Sequence, residues 1–256
     1  MNDLLGREGR AELRLLAASR ALLAFDFDGT LAPITPLSDR AAMRPRTRHL
    51  LAEVAGTWPC AVISGRRLAD LRPRFDGIPI RWFVGNHGAE GAAPMPGATR
   101  LRRSVVRWRD RLRSGLAEQT GIWVEDKGIA LAVHYRGSPR RARARGAILG
   151  LTGTLDGARV VPGKCVVDVL PASAPDKGAA LAHLVEMLAP ERVLFAGDDV
   201  TDEDAFARDL GVPATMVRVG GVGPSRAHYR LEGQGAIDTL LAVLLEERGA
   251  PVAISP

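Results

Sequence analysis

Residues 21–31, Ala-Leu-Leu-Ala-Phe-Asp-Phe-Asp-Gly-Thr-Leu, constrain the fold more than any other stretch of the chain. Five apolar residues without alternation predict a strand buried on both faces, as in a parallel sheet. The strand ends in Asp26 and Asp28, and strand side chains two apart point the same way. Gly29 opens a turn beside them. In open α/β sheets, the carboxyl ends of the strands are where ligands bind. Two neighbouring carboxylates repel and are reconciled by a cation or a shared proton. A hard divalent ion such as magnesium suits their oxygens.

The following residues continue an α/β alternation. A lead-in helix is expected at 10–19, and a proline-punctuated loop at 33–45. A helix near 46–56 and a strand at 60–63 follow, and the strand ends in Ser64-Gly65-Arg66. Another helix and a strand at 80–84 come next. Such an order predicts a doubly wound, Rossmann-like parallel sheet. The texture then changes: 91–97 reads as a linker. Helices near 99–118 and 138–150 interleave with strands at 121–126, 129–135, 158–161 and 165–170, a small α/β unit of its own. The alternation resumes with a helix at 177–188, a strand at 193–196, a helix near 202–209, a strand at 214–219 and a last helix at 234–247. Residues 1–97 and 173–256 are thus expected to form one discontinuous core domain, with 98–172 inserted as an α/β cap. The last residues, from about 249, are expected to fray.

Composition narrows the function classes. The chain has 256 residues, a formal charge of +6 and 46% hydrophobic residues, enough for one sizeable core plus a smaller unit. The basic excess is local: seven arginines lie within 100–113 and four within 140–145. Both stretches are helical in pattern, so solvated helix faces are expected rather than a nucleic-acid surface. Cys60 and Cys165 lie in apolar runs and are expected to be buried free thiols. Arg7, Glu8, Arg10, Glu12 and Arg14 interrupt any signal-peptide core, and no run is long and apolar enough to cross a membrane. The expectation is a cytoplasmic enzyme, monomeric, with no nucleic-acid or membrane partner.

Further candidate residues sit at strand tips and helix starts. Ser64, with Gly65 and Arg66, either offers a hydroxyl and backbone N–H groups to phosphoryl oxygens at a helix N-terminus or caps that helix. Arg66 either touches phosphate or faces solvent. Lys177 opens a helix, where a cation gains nothing from the helix dipole. A nearby anion would explain it; so would an ordinary surface position. Asp198 and Asp199 follow a short apolar strand, and Thr201 with Asp204 three positions on reads as a helix cap.

The string Asp-x-Asp-Gly-Thr-Leu after an apolar strand resembles the first motif of the haloacid dehalogenase superfamily of phosphotransferases. The resemblance implies Asp26 as a nucleophile that becomes an aspartyl-phosphate and Asp28 as general acid, then base. It implies Ser64 on the phosphoryl oxygens and Lys177 screening aspartate and phosphate. The metal would be held by Asp26, the backbone carbonyl of Asp28, and Asp198. Asp199 and Asp202 are further candidates, for metal-bound water or for orienting Lys177. More narrowly, Gly-Asp-Asp-x-Thr-Asp-Glu-Asp-Ala-Phe (197–206), Asn-His-Gly-Ala-Glu (86–90), Val-Glu-Asp-Lys-Gly (124–128), His-Tyr-Arg (134–136) and Pro-Gly-Lys-Cys-Val-Val-Asp-Val-Leu-Pro (162–171) look like the trehalose-6-phosphate phosphatase family. That family implies magnesium-dependent hydrolysis of a phosphosugar in trehalose biosynthesis.

Glu125, Lys127, Lys164 and Asp168 fit a disaccharide, whose hydroxyls want carboxylates and amines; a cross-strand salt-bridge ladder is the plainer alternative. His87 and Glu90 are expected on the core side of the sugar pocket, although His87 equally suits a loop brace. His134 and Arg136 are expected to be structural. The family often has Glu at Asp168 and Arg at Leu170, which weakens the role of Asp168. Rival readings are a phosphatase for sucrose 6-phosphate or a mannosyl- or glucosyl-glycerate phosphate, a non-catalytic regulatory domain, and a nucleic-acid binder using the arginine helices.

Overall fold

The computed structural model describes residues 1–35, 38–91, 98–221 and 223–249. Most of the expected linker and of the expected frayed end lies outside these residues. In chain order the elements are β1 (Asn2–Asp3), α1 (Arg7–Ala18), β2 (Ala21–Phe25), α2 (Pro45–Thr57), β3 (Cys60–Ile63), α3 (Leu68–Leu71), β4 (Trp82–Val84), α4 (Ala98–Gly115), β5 (Trp123–Asp126), β6 (Leu131–His134), α5 (Arg141–Thr152), β7 (Ala158–Gly163), β8 (Val166–Pro171), α6 (Lys177–Leu188), β9 (Arg192–Gly197), α7 (Glu203–Phe206), β10 (Ala214–Val219), β11 (Tyr229–Leu231) and α8 (Ile237–Gly249). They fall into two compact units, Met1–Ala92 with Asp176–Pro256, and Ala93–Pro175.

The first unit carries a seven-stranded sheet in the order β1-β11-β10-β9-β2-β3-β4, parallel throughout. All five residues of β2 are buried, as its unbroken apolar run requires. The strand divides its side chains between two cores. Leu23 and Phe25 join α1, α2 and α8 on one face, while Leu22 and Ala24 join α6 and α7 on the other. Helices on both faces make the sheet doubly wound, as expected.

The chain leaves β2 toward β3 and β4, and returns as β9, β10 and β11 on the other side. Strand order therefore reverses at β2, and the crevice at its carboxyl end is the place such sheets offer a ligand. Register brings the tips together: Phe25 pairs with both Val62 and Ala196, and the Asp26 N–H donates to the Ala196 carbonyl (2.8 Å). Asp26, Ser64 and Asp198 thus emerge from adjacent strands.

Two short elements had no sequence signal: β1, a two-residue strand, and β11, both completed by pairing with each other. The helix expected after Arg66 shrinks to the four residues of α3. Pro73 follows at once and the chain continues as a 3-10 turn over Arg72–Phe75.

The second unit is a four-stranded antiparallel sheet, β5-β6-β8-β7. Val105, Trp108 and Leu112 of α4, with Ala144 and Ile148 of α5, pack on the face made by Leu131, Val133, Val167 and Val169. Most arginines of α4 and α5 are exposed, as solvated faces require; Arg109 is instead held by Asp110 and Asp126 at 2.9–3.0 Å. Both cysteines are free; Cys60 is buried, whereas Cys165 is only partly so. It occupies the β7–β8 turn with a left-handed φ of 63°, which brings it to the sheet end. Among the described residues, no helix is long and apolar enough to cross a membrane.

Candidate active site

Asp26 is 4% exposed at the tip of β2. Lys177, the first residue of α6, is 2% exposed; its Nζ donates to Asp26 Oδ1 (2.8 Å) and to Asp202 Oδ1 (2.7 Å). That placement answers why a lysine begins a helix. Its charge faces two carboxylates, and the helix end is capped separately by Asp176, which accepts from the Ala179 N–H (2.7 Å). Burial opposes the ammonium, but Asp202 and Asp26 outweigh it and hold the Lys177 pKa above its usual value. Burial pushes the Asp26 carboxyl well above the usual range, and Asp202 and Asp198 add to the rise against the pull of Lys177.

Asp26, Asp198 and Asp202 each place an oxygen within 4.8 Å of the others. Three carboxyl groups gather around one lysine in a largely buried place. This hard oxygen set fits a divalent cation. Gly29 has φ 87°, and a Cβ there would overlap the Asp198 carboxylate. The glycine of the first motif thus serves both the turn and the third acid.

The side chains of Asp28 and Asp199 lie outside the three-acid cluster. The Asp28 carboxylate is gripped by Arg66, with Nε to Oδ2 at 2.6 Å and Nη2 to Oδ1 at 2.5 Å. A fork-to-fork ion pair of this kind is the strongest geometry available to the two groups. Asp199 starts the 3-10 turn Val200–Asp202, and its N–H donates to Asp202 Oδ2 (2.8 Å). The cap of that turn is therefore Asp199 with Asp202, not Thr201 with Asp204. Asp202, which sequence ranked below Asp198, is fully buried and joins Lys177 to the acid cluster. The motif at 197–206 offered it as a candidate for orienting Lys177, and Lys177 Nζ does donate to it.

Ser64 is 1% exposed, and its Oγ accepts from the Arg66 N–H (3.3 Å). The residue preceding α3 is Arg67, so Ser64 caps no helix, and α3 is too short to offer a helix-dipole anion site. Arg66 faces neither bulk solvent nor helix end; its guanidinium lies over the Phe27 ring at 5.3 Å.

The loop after β4 holds this turn in place. Asn86 and His87 take φ of 48° and 56°, an uncommon pair of left-handed non-glycine residues. The Asn86 N–H donates to the Arg66 carbonyl (2.7 Å) and the His87 N–H to the Ser64 carbonyl (2.9 Å). A Cβ on Gly65 would run into the His87 ring, so Gly65 gives that ring its room. Glu90 Oε2 accepts from the Leu68 N–H (2.9 Å) and Asn86 Nδ2 (3.0 Å). His87 and Glu90 are thus packed into the bracing of the Ser64–Arg66 turn.

In the second unit, Glu125, Ala132 and Asp168 are in register across β5, β6 and β8, so both acids share one face. Lys127 Nζ pairs with Asp168 Oδ1 at 2.8 Å, and Glu125 Oε2 pairs with His134 Nε2 at 2.8 Å. The bond to His134 draws the Glu125 carboxyl below its usual range, against the opposing effect of burial. Lys164 is exposed at the β7–β8 turn, away from that row of acids along the strand direction. His134, expected to be structural, is thus bonded to a candidate binding residue.

Known proteins share this arrangement of sequence and fold. The family model described as Trehalose-phosphatase matches residues 24–231. The chain is 35% identical over 207 residues to a trehalose-phosphate phosphatase of Mycobacterium marinum, covering 75% of this chain and 52% of the relative. It thus spans about half the length of that curated relative. The C-terminal domain of C. albicans trehalose-6-phosphate phosphatase superposes with TM-score 0.77 at 22% identity, covering 93% of this chain and 97% of that one. An Aspergillus fumigatus trehalose-6-phosphate phosphatase does so with TM-score 0.64 at 27% identity, covering 96% and 99%. A match over the span that holds Asp26, Ser64, Lys177 and Asp198 places the chain in the trehalose-phosphatase family.

Proposed function

We propose that this protein is a magnesium-dependent phosphatase that hydrolyses trehalose 6-phosphate to trehalose and phosphate. The observation that carries the chemistry is the buried Asp26, fixed by Lys177 within an acid cluster at the reversal point of the sheet. The family match supports the substrate, as does the polar face of the second unit, with Glu125, Lys127 and Asp168 on it.

Asp26 is the nucleophile. Its carboxylate attacks phosphorus in line and the bond from phosphorus to the sugar oxygen breaks, while Asp28, with one oxygen released from Arg66 and protonated, gives that proton to the sugar oxygen. Water then attacks the aspartyl-phosphate and hands a proton to Asp28, and the bond between phosphorus and the Asp26 oxygen breaks. Lys177 fixes the rotation of the Asp26 carboxylate through Oδ1. Arg66 orients the Asp28 carboxylate two residues on. Ser64, beside them, offers a hydroxyl to phosphoryl oxygens. A magnesium ion would be held by Asp26 and Asp198, with Asp202 close by, and would supply positive charge to offset that of the carboxylates and the phosphoryl group.

The division of labour follows the two units: the first is the phosphatase core and the second the specificity domain. Phosphate release from trehalose 6-phosphate, sucrose 6-phosphate, glucose 6-phosphate and glucosyl-glycerate phosphate, with magnesium and with EDTA, tests this. Trehalose 6-phosphate is expected to be preferred and EDTA to abolish release. Asp26→Asn should lower turnover by at least about 10⁴-fold, the scale set by removing a nucleophile, while the fold persists. Activity in that variant near the wild-type level sinks the mechanism; preference for another ester sinks only the substrate.

A further inference from the structure

One large aromatic residue stands apart from the packing. Of the four tryptophans, Trp58 and Trp108 are 4% and 6% exposed and Trp82 is half-buried, whereas Trp123 is 56% exposed. Trp123 lies two residues before Glu125 on β5, so it shares the face of the sheet that carries Glu125 and Asp168. The opposite face holds the apolar contacts to α4 and α5.

The ring is also held still. Trp123 and His134 are directly paired across β5 and β6, and their rings stack with centroids 4.1 Å apart and planes 13° from parallel. The His134 ring is fixed in turn by its bond to Glu125 (2.8 Å). One face of the indole is thus covered, and the exposure of more than half the residue comes from what the imidazole does not cover. A scattered surface side chain needs no explanation. A rigid indole on the sheet face that carries two carboxylates, one of them paired with an ammonium group, is a different object.

We propose that Trp123, backed by His134, is a stacking platform for a pyranose ring of the substrate. The inference rests on the reading of the substrate as a sugar phosphate. A pyranose presents polar hydroxyls around its edge and weakly positive C–H groups on its faces. The indole face carries the negative part of the ring quadrupole and attracts such a surface. Glu125, two residues along the same face, is placed for the hydroxyls. Because Trp and His are preordered by their stack, little conformational entropy is lost on binding.

Trp123→Ala and Trp123→Phe test the platform through steady-state kinetics on trehalose 6-phosphate. Trp123→Ala is expected to raise KM about tenfold, the scale of a lost aromatic contact, with the loss concentrated in KM rather than kcat. Trp123→Phe, which keeps an aromatic face, is expected to recover part of it. Iodide quenching of tryptophan fluorescence gives a readout free of turnover. Trehalose should shield the wild-type protein from quenching and leave Trp123→Phe unchanged. A KM for Trp123→Ala within twofold of wild type overturns the platform, as does quenching indifferent to trehalose. If the wild type hydrolyses no phosphosugar, the proposed activity fails. The shielding experiment, run with trehalose, sucrose and glucose, then still decides for or against a sugar platform.

Discussion

Replacing Lys177 with Met should destabilise the core unit severely, by an amount the geometry sets. The ammonium sits 2.8 Å from Asp26 Oδ1 and 2.7 Å from Asp202 Oδ1, and the side chain is 2% exposed. At an effective dielectric near 20, each contact carries about 6 kcal/mol of Coulomb attraction. Much of that is offset by the cost of desolvating three charges. What remains when one partner of a buried set is removed is about 3–5 kcal/mol, because the charges left behind have no partner. A domain's whole stability is about 5–15 kcal/mol. With an m-value near 3 kcal/mol per molar urea, the midpoint should fall by about 1–1.7 M. Urea unfolding in EDTA, followed by circular dichroism, reads this without a cation that could substitute for the lysine. Lys177→Met with Asp202→Asn removes one of the stranded charges. It should recover about 1–2 kcal/mol, a coupling expected of residues in contact. The asparagine oxygen still serves the Asp199 N–H. A loss below about 1 kcal/mol in the single variant, or strict additivity in the double, would refute the view of Lys177 as the charge that stabilises this cluster.

Gly29→Ala should cost at least about 1–2 kcal/mol, since an L side chain there must adopt φ 87°. Its Cβ also displaces the Asp198 carboxylate, so calorimetry should show weaker magnesium binding than in wild type; unchanged affinity would refute that placement. Glu125, held below its usual pKa chiefly by His134, should contribute stability that is present above about pH 4.5. That contribution is lost as pH falls through the lowered value, because the unfolded carboxyl takes up its proton first. The stability gap between wild type and Glu125→Gln should therefore shrink on acidification toward pH 3, and His134→Phe should flatten it. A gap that widens toward low pH contradicts the assignment.

The main architecture was legible because its signals are local. The unbroken apolar run of β2 needs no partner to be recognised as a buried strand. Pro73, which cuts α3 short, is equally visible in the sequence. β1 and β11 left no signal, since a two- or three-residue strand exists only through its neighbour. At the site, Asp26, Ser64, Lys177 and Asp198 stand at strand tips or helix starts, which periodicity locates. The Arg66–Asp28 fork, the left-handed Asn86-His87 pair and the stack of Trp123 on His134 join residues distant in sequence, or depend on backbone angles that no side-chain pattern encodes.

The sequence alone determined that a strand must end in two acids and a glycine, that helices must flank the sheet, and that a second α/β unit interrupts the core. Those follow from hydrophobic periodicity and turn chemistry, which act over a few residues. Only the tertiary structure decided that Asp202 rather than Asp199 completes the acid cluster. Only it decided that Asp28 is answered by Arg66, and that Glu90 accepts the Leu68 N–H and Asn86 Nδ2 beside the Ser64–Arg66 turn. A carboxylate's partner is chosen by which cation or donor the packed chain brings within about 3 Å, and neither spacing nor composition carries that distance.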